Sequence, residues 1–221
     1  MLTDRDRRVI FSIGRFKVLA RHQIEKLHFP SYDTCQRRIR EELKANNFIS
    51  EPFYINVGED GSRIPLYRLK TKGKQLYQER FKVNYRTPRW NYAKMPHLLT
   101  TNQLLIDLKL ARLVSLKDVN IEYELSSKIN SDAYCSNLDV AIETDRKFET
   151  KNEIQKQFNN YQKVYQKKGI PRILVYYTAR PLRLDNWHEE VANSNLEILF
   201  CKIDNLPKIY KLIKRLRRIK V

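Results

Sequence analysis

The first eighty residues carry an ordered series of short apolar periods that leaves little choice of fold. After Thr3, a residue type that caps helices, Val9, Ile10, Ile13 and Phe16 recur at helical spacing and predict a first helix ending near Gly14 to Phe16. Val18, Leu19, Ile24, Leu27 and Phe29 predict a second, stopped by Pro30, whose ring fixes φ and removes an amide donor. Ser31, Asp33 and Thr34 then offer caps for a third helix, from about Thr34 to Asn46, with Ile39 and Leu43 inward and Gln36, Arg37, Arg38, Arg40 and Lys44 polar. Two strand-like runs follow, at 53–57 and 64–69. They are joined by Gly58 to Arg63, where Gly58, Asp60 and Gly61 supply turn conformations. Another helix begins at Thr71.

Three helices, a hairpin and a helix opened by Thr71-Lys-Gly73 resemble the winged-helix family, in particular the tail from Tyr67 to Gly73 behind the hairpin. The resemblance implies a winged helix-turn-helix domain over residues 1–81 that docks its third helix in the major groove of duplex DNA. Charge agrees: 43 Lys and Arg against 25 Asp and Glu leave a net charge of +18. Such a balance suits a polyanionic partner, because neutralising phosphates releases condensed counterions. The candidate DNA-binding residues are Tyr32, Thr34, Gln36, Arg37, Arg40 and Lys44 on or beside the third helix, with Arg63 on the wing near a phosphate. The bland alternatives are a solvated basic helix face, or a winged helix that binds protein.

Residues 82–96 hold Pro88, Pro96, Arg86, Arg89 and Trp90 without a sustained period and read as a linker. From His97 the apolar positions Leu98, Leu104, Leu105, Leu108, Leu110, Ala111 and Val114 predict one strong helix. Strand-like stretches follow at 119–125, 133–135, 138–142, 172–178 and 196–201, interrupted by helical patterns at about 149–166, 181–193 and 207–218. This order predicts an α/β domain over residues 97–221 built on a mixed sheet, with the run from Ile173 to Thr178, apolar on both faces, as a central strand.

On that scaffold the chemistry-bearing residues are acidic. Asp132 is expected to open one strand and Glu143 to end the next, so that hairpin pairing would bring their carboxylates to one sheet edge, with Asp145 two residues on. Paired hard oxygens there would hold Mg²⁺ for phosphodiester chemistry, making Asp132 and Glu143 the candidate metal ligands. Gln157 and Tyr161, four apart on the following helix, share a face.

At these residues the domain resembles the PD-(D/E)xK nuclease superfamily. The whole chain resembles the replication-relaxation family of plasmids and other mobile elements, through His97-Leu98, Ser131-Asp132-Ala133 and Glu143-Thr-Asp145. The resemblance implies a restriction-endonuclease-like domain with Asp132, Glu143, Asp145, Lys151, Gln157 and Tyr161 as candidate catalytic residues. Two departures stand out. Ser131 occupies the place of the family's proline, and Asp145 that of the lysine which would position water and stabilise developing charge. Lys147, Lys151, Lys156 or Lys163 would have to take over that role, or the acidic residues are structural.

Two functions therefore stand. The first is DNA binding for a mobile element, in replication, transfer or transcriptional control. The alternative is a metal-dependent endonuclease or nicking relaxase. The partner is duplex DNA, a homodimer is the reasonable oligomer for reading paired half-sites, and no small-molecule substrate suggests itself. Cys35, Cys135 and Cys201 have neither a disulfide framework nor a zinc spacing, no apolar run reaches the roughly 18 residues of a membrane span, and the polar start is not a signal peptide. The expectation is a cytoplasmic protein without a membrane role. Residues 208–221 form a basic amphipathic pattern whose apolar face suits packing on the sheet.

Overall fold

A computed structural model of the chain describes residues 1–56, 62–85, 94–127, 129–145, 151–178, 196–202 and 206–219. The fold is mixed α/β in two compact units, Met1–Ile106 and Asp107–Val221.

The first unit opens with α1, Asp4–Phe16, capped as the sequence predicts. Thr3 Oγ1 accepts from the Asp6 amide at 3.3 Å while Asp6 Oδ2 accepts from the Thr3 amide at 2.7 Å, a reciprocal capping box. Val9, Ile10, Ile13 and Phe16 are fully buried. The second helix starts later than its periodicity suggests. Val18, Leu19 and Ala20 are all completely buried, and three consecutive residues sweep too wide an arc to share one helix face. Leu19–Ala20 instead forms β1, and α2 runs from Arg21 to His28. Phe29 is extended ahead of Pro30, as a residue before proline prefers. Capped by Ser31, α3 covers Tyr32–Arg38 and continues through a wider, π-type turn over Ile39–Lys44, with Cys35, Ile39 and Leu43 inward.

The hairpin is present as β2, Phe53–Asn56, and β3, Arg63–Tyr67, in antiparallel register with Ile55 opposite Ile64. β3 is the centre of the small sheet because β1 pairs on its other side, Leu19 opposite Tyr67. Leu69, expected in the strand, makes a separate bridge to Ile49. The predicted turn residues Gly58, Asp60 and Gly61 lie outside the described residues. Helix α4, Thr71–Phe81, crosses the backbone so closely that a Cβ on Gly73 would sit 2.1 Å from the Phe48 carbonyl oxygen. The glycine of Thr71-Lys-Gly73 is therefore a packing requirement. These helices and the small antiparallel sheet make a winged-helix-like arrangement.

Helix α5, Met95–Leu110, is stitched to this unit by buried amides. Asn102 Nδ2 donates to the Phe16 and Val18 carbonyls at 3.3 and 2.9 Å. Gln23 accepts from the Ala20 amide at 3.1 Å and donates to the Leu99 carbonyl at 3.0 Å. Chain ends left over where α1 stops and α2 begins are thereby satisfied by side chains, as buried backbone groups must be.

The second unit holds a five-stranded sheet of β4, Val119–Ser126; β5, Ile129–Cys135; β6, Val140–Asp145; β7, Ile173–Thr178; and β8, Glu197–Lys202. They lie side by side in sequence order, the first two pairings antiparallel and the last two parallel. The parallel step from β6 to β7 is bridged by α6, Lys151–Lys168. One sheet face, through Tyr134, Ala141, Leu174 and Tyr176, packs on Ile154, Phe158, Tyr161 and Val164 of α6. Ile173 to Tyr177 are all buried, so β7 is covered on both faces as expected. The last helix, α7, Leu206–Ile219, buries Ile209, Leu212 and Ile213. The helical pattern read at 181–193 lies outside the described residues.

Candidate functional site

With Cys35, Ile39 and Leu43 turned to the core, α3 turns Tyr32, Gln36, Arg37 and Arg40 outward, all exposed, with Thr34 half-buried. Asp33, Thr34, Gln36, Arg37 and Arg40 line one shallow concavity of about 350 Å³. The cations of this face differ in commitment. Arg40 pairs with its neighbour Glu41 at 2.8 Å, and Lys44, beyond the concavity, pairs with Glu51 at 2.9 Å. Arg37 makes no ion pair among the described residues. Arg63 stands apart from the concavity lining, exposed at the start of β3.

Arg38 departs from the polar outer set in which the sequence puts it. Its guanidinium turns inward and bonds both oxygens of the wholly buried Asp6, from Nε at 2.9 Å and Nη2 at 2.6 Å. Burial works to raise the Asp6 carboxyl, but the bonds from Arg38 and Thr3 outweigh it and hold the group below the ordinary aspartate value. The outward face also includes residues the sequence reading passes over. The Arg21 guanidinium lies 4.4 Å from the centroid of the Tyr32 ring, and Tyr54 on β2 is 51% exposed. An aromatic on the solvent side of a strand is the signal that would have marked Tyr54. Beneath, burial pushes the Tyr67 phenol up to about 12 against the opposing charge of Arg21, so this tyrosine stays neutral.

In the second unit, the structure brings Asp132 and Glu143 together by a different route from the one expected. Asp132 does not open a strand. It is the fourth residue of β5, which extends back to Ile129 because that stretch pairs with β4. Nor does Glu143 end β6, since Thr144 and Asp145 continue it against β7. Ala133 pairs with Ile142, so one step along the antiparallel ladder sets Asp132 across from Glu143 on the face covered by α6.

Both carboxylates are engaged. Asp132 Oδ2 accepts from the Thr144 amide at 2.7 Å. Glu143, 6% exposed, accepts from the phenol of Tyr161, which is wholly buried. Burial and then the Glu143 carboxylate push the Tyr161 phenol well above its ordinary value, with Asp132 adding to the effect and a bond with Ser131 opposing it. Tyr161 is thus a neutral donor to Glu143. Gln157, one turn earlier, is half-buried with its Oε1 enclosed and without a hydrogen-bond partner among the described residues.

Of the other residues proposed for this site, Asp145 ends β6 and Lys151 begins α6, but their side chains lie outside the described residues, as does Lys147. Lys156 and Lys163 are exposed on α6, away from the buried face that carries Tyr161. Among the described residues no group of three or more His, Cys, Asp and Glu could hold a metal ion. Asp132 and Glu143 are thus a pair of carboxylates, and Mg²⁺ held by a pair keeps waters or substrate phosphate as its other ligands. The three cysteines are buried, with burial pushing the Cys35 and Cys135 thiols up to about 12. No helix among the described residues is long and apolar enough to cross a membrane.

Compared with known proteins, the chain matches no curated protein and no solved structure. It does match a family model described as Replication-relaxation, over residues 11–173. That match starts within α1 and runs through the α3 face, β5, β6 and α6 to the first residue of β7. Most of both units is covered, and the chain belongs to the replication-relaxation family.

Proposed function

We propose that the chain binds duplex DNA through the outward face of α3, with β2 and β3 as the wing, in the replication, transfer or transcriptional control of a plasmid or other mobile element. The observation that carries this reading is the concavity lined by Asp33, Thr34, Gln36, Arg37 and Arg40, in which Arg37 makes no ion pair among the described residues. Gln and Arg side chains are suited to bidentate contacts with base edges, and a helix entering the major groove presents its first turns to them. The net charge of +18 supplies the sequence-independent part of the attraction. Family membership supports a replication-related setting.

A salt titration tests it. Fluorescence anisotropy of a labelled duplex taken from the region upstream of the protein's own reading frame should show log affinity falling linearly with log salt, with a slope of several units. Binding that is absent, or indifferent to salt, removes the reading.

The juxtaposition of Asp132 and Glu143 supports a second reading, a metal-dependent endonuclease or nicking relaxase. Bound Mg²⁺ would supply Lewis-acid stabilisation of the attacked phosphate. Against this stand the hydrogen bonds already occupying both carboxylates and the aspartate at position 145 in place of lysine. Supercoiled DNA incubated with Mg²⁺ or Mn²⁺ separates the two. Binding alone predicts intact DNA, retarded equally by the wild type and by Asp132→Asn with Glu143→Gln. Nicking by the wild type only would make the second unit a nuclease.

A further inference from the structure

The outer face of α6 belongs to neither the α3 face nor the buried Asp132–Glu143 pair. This helix runs 18 residues with five lysines and one carboxylate, Glu153, near its start. Its inner face is fixed by Ile154, Phe158, Tyr161 and Val164. Opposite them Lys156, Asn160, Lys163 and Lys167 follow at intervals of four, three and four, which aligns them in one stripe along the helix. All three lysines are exposed, Asn160 is half-buried, and the exposed amides Asn159 and Gln166 flank them. Lys156, Gln157 and Asn160, together with Glu153, also line a shallow concavity of about 310 Å³.

A helix face that only needs solvation gains from alternating Glu and Lys four residues apart, and loses when like charges take those places. Lys163 and Lys167 are such a like-charged pair, with amides rather than carboxylates around them. Lys156, Lys163 and Lys167 make no ion pair among the described residues. Lys168, by contrast, is held by the Leu125 carbonyl at 2.6 Å. A row of uncompensated ammonium groups with interleaved amide donors suits an external polyanion. From Lys156 to Lys167 it spans about 16 Å, the axial length of several phosphates on one strand.

We infer that this stripe of α6 is a second nucleic-acid surface, located on the second unit, that follows the phosphodiester backbone of DNA without reading its bases. The inference rests on the DNA-binding reading and extends it beyond the winged-helix-like unit. Charge complementarity selects the occupant, since lysines act on phosphate as point charges while amides donate to its oxygens.

The test uses the full chain with Lys156→Gln, Lys163→Gln and Lys167→Gln together. A control carries Lys72→Gln, Lys94→Gln and Lys117→Gln, three exposed lysines scattered elsewhere with the same loss of charge. Salt titration of duplex binding should give a slope lower by about 3 for the stripe variant, and affinity at low salt at least about tenfold weaker. The control should change the slope by less than about 1, and thermal melting should be unchanged in both. Equal slopes for stripe variant and control would overturn the inference and leave the α3 reading standing. A wild type that binds no duplex would end both. Loss of binding to anionic lipid vesicles with unchanged duplex binding would assign the stripe to a membrane surface instead, and also overturn it.

Discussion

Replacing Arg37 and Arg40 together by alanine is expected to weaken duplex binding by two orders of magnitude or more. Each well-formed contact from such a side chain to a base edge contributes about 1–3 kcal/mol, and 1.4 kcal/mol is a factor of ten in affinity. Both guanidinium groups line the concavity of α3. Arg37 has no ion pair among the described residues to give up, while Arg40 exchanges only an exposed contact with Glu41, of the kind that contributes little to stability. The melting temperature should therefore stay within about 5 °C, because each exposed side chain removed without a cavity shifts stability by about 0.5 kcal/mol or less. Lys44→Ala is the informative comparison. Its ammonium is already paired with Glu51, so its loss should weaken binding far less. Competition with unrelated duplex then separates base reading from phosphate attraction. If the arginines read bases, the double variant loses its preference for the specific site, whereas purely phosphate contacts would lower the salt slope by about 1 each and leave the preference intact. Unchanged affinity in the double variant would remove α3 as the reader.

The second large effect concerns stability. Arg38→Ala leaves the Asp6 carboxylate buried with only its capping-box bonds from Thr3. Stranding a buried charge by removing its partner costs about 3–5 kcal/mol, and the partial exposure of Arg38 places this pair near the lower end. A loss near 3 kcal/mol in a unit of this size lowers the melting temperature by roughly 10–20 °C. The sign of the pH dependence follows from Asp6 being held below its ordinary value. Its contribution is fully present above the unfolded value of about 4 and disappears as pH falls through the folded one. Without Arg38, burial is opposed only by Thr3, so the folded value rises and acid loss of stability begins at higher pH. Thermal melts of wild type and Arg38→Ala between pH 3 and 7 measure this directly. Asp6→Asn should recover part of the loss in the Arg38→Ala background and worsen the wild type. A variant that melts like the wild type at neutral pH would show that the pair contributes nothing net.

What was legible in the sequence was whatever depends on neighbours along the chain. The cap at Thr3, the stop at Pro30, the start of α4 at Thr71 and the apolar period of α6 are local, because capping, proline geometry and helical spacing act within a turn or two. The run from Ile173 to Thr178 announced a doubly covered strand by the same logic. The exposed members of the α3 face could be named because the inward positions Ile39 and Leu43 fix the phase of the helix.

Tertiary structure decided what depends on partners distant in sequence. Leu19 and Ala20 became an edge strand because β3 supplied hydrogen bonds that helical periodicity could not anticipate. Arg38 left the basic face because a buried carboxylate 32 residues away required a counter-charge. Asp132 moved to mid-strand because β4 pairs with the residues before it, and Glu143 acquired the Tyr161 phenol because α6 folds back across the sheet. The sequence by itself determined the order of elements, the charge and the faces of the helices, all set by short-range spacing. Only the tertiary structure determined which cations remain available to an outside partner. A polar side chain is committed or uncommitted according to what the fold brings within about 3–4 Å of it, and no periodicity records that distance.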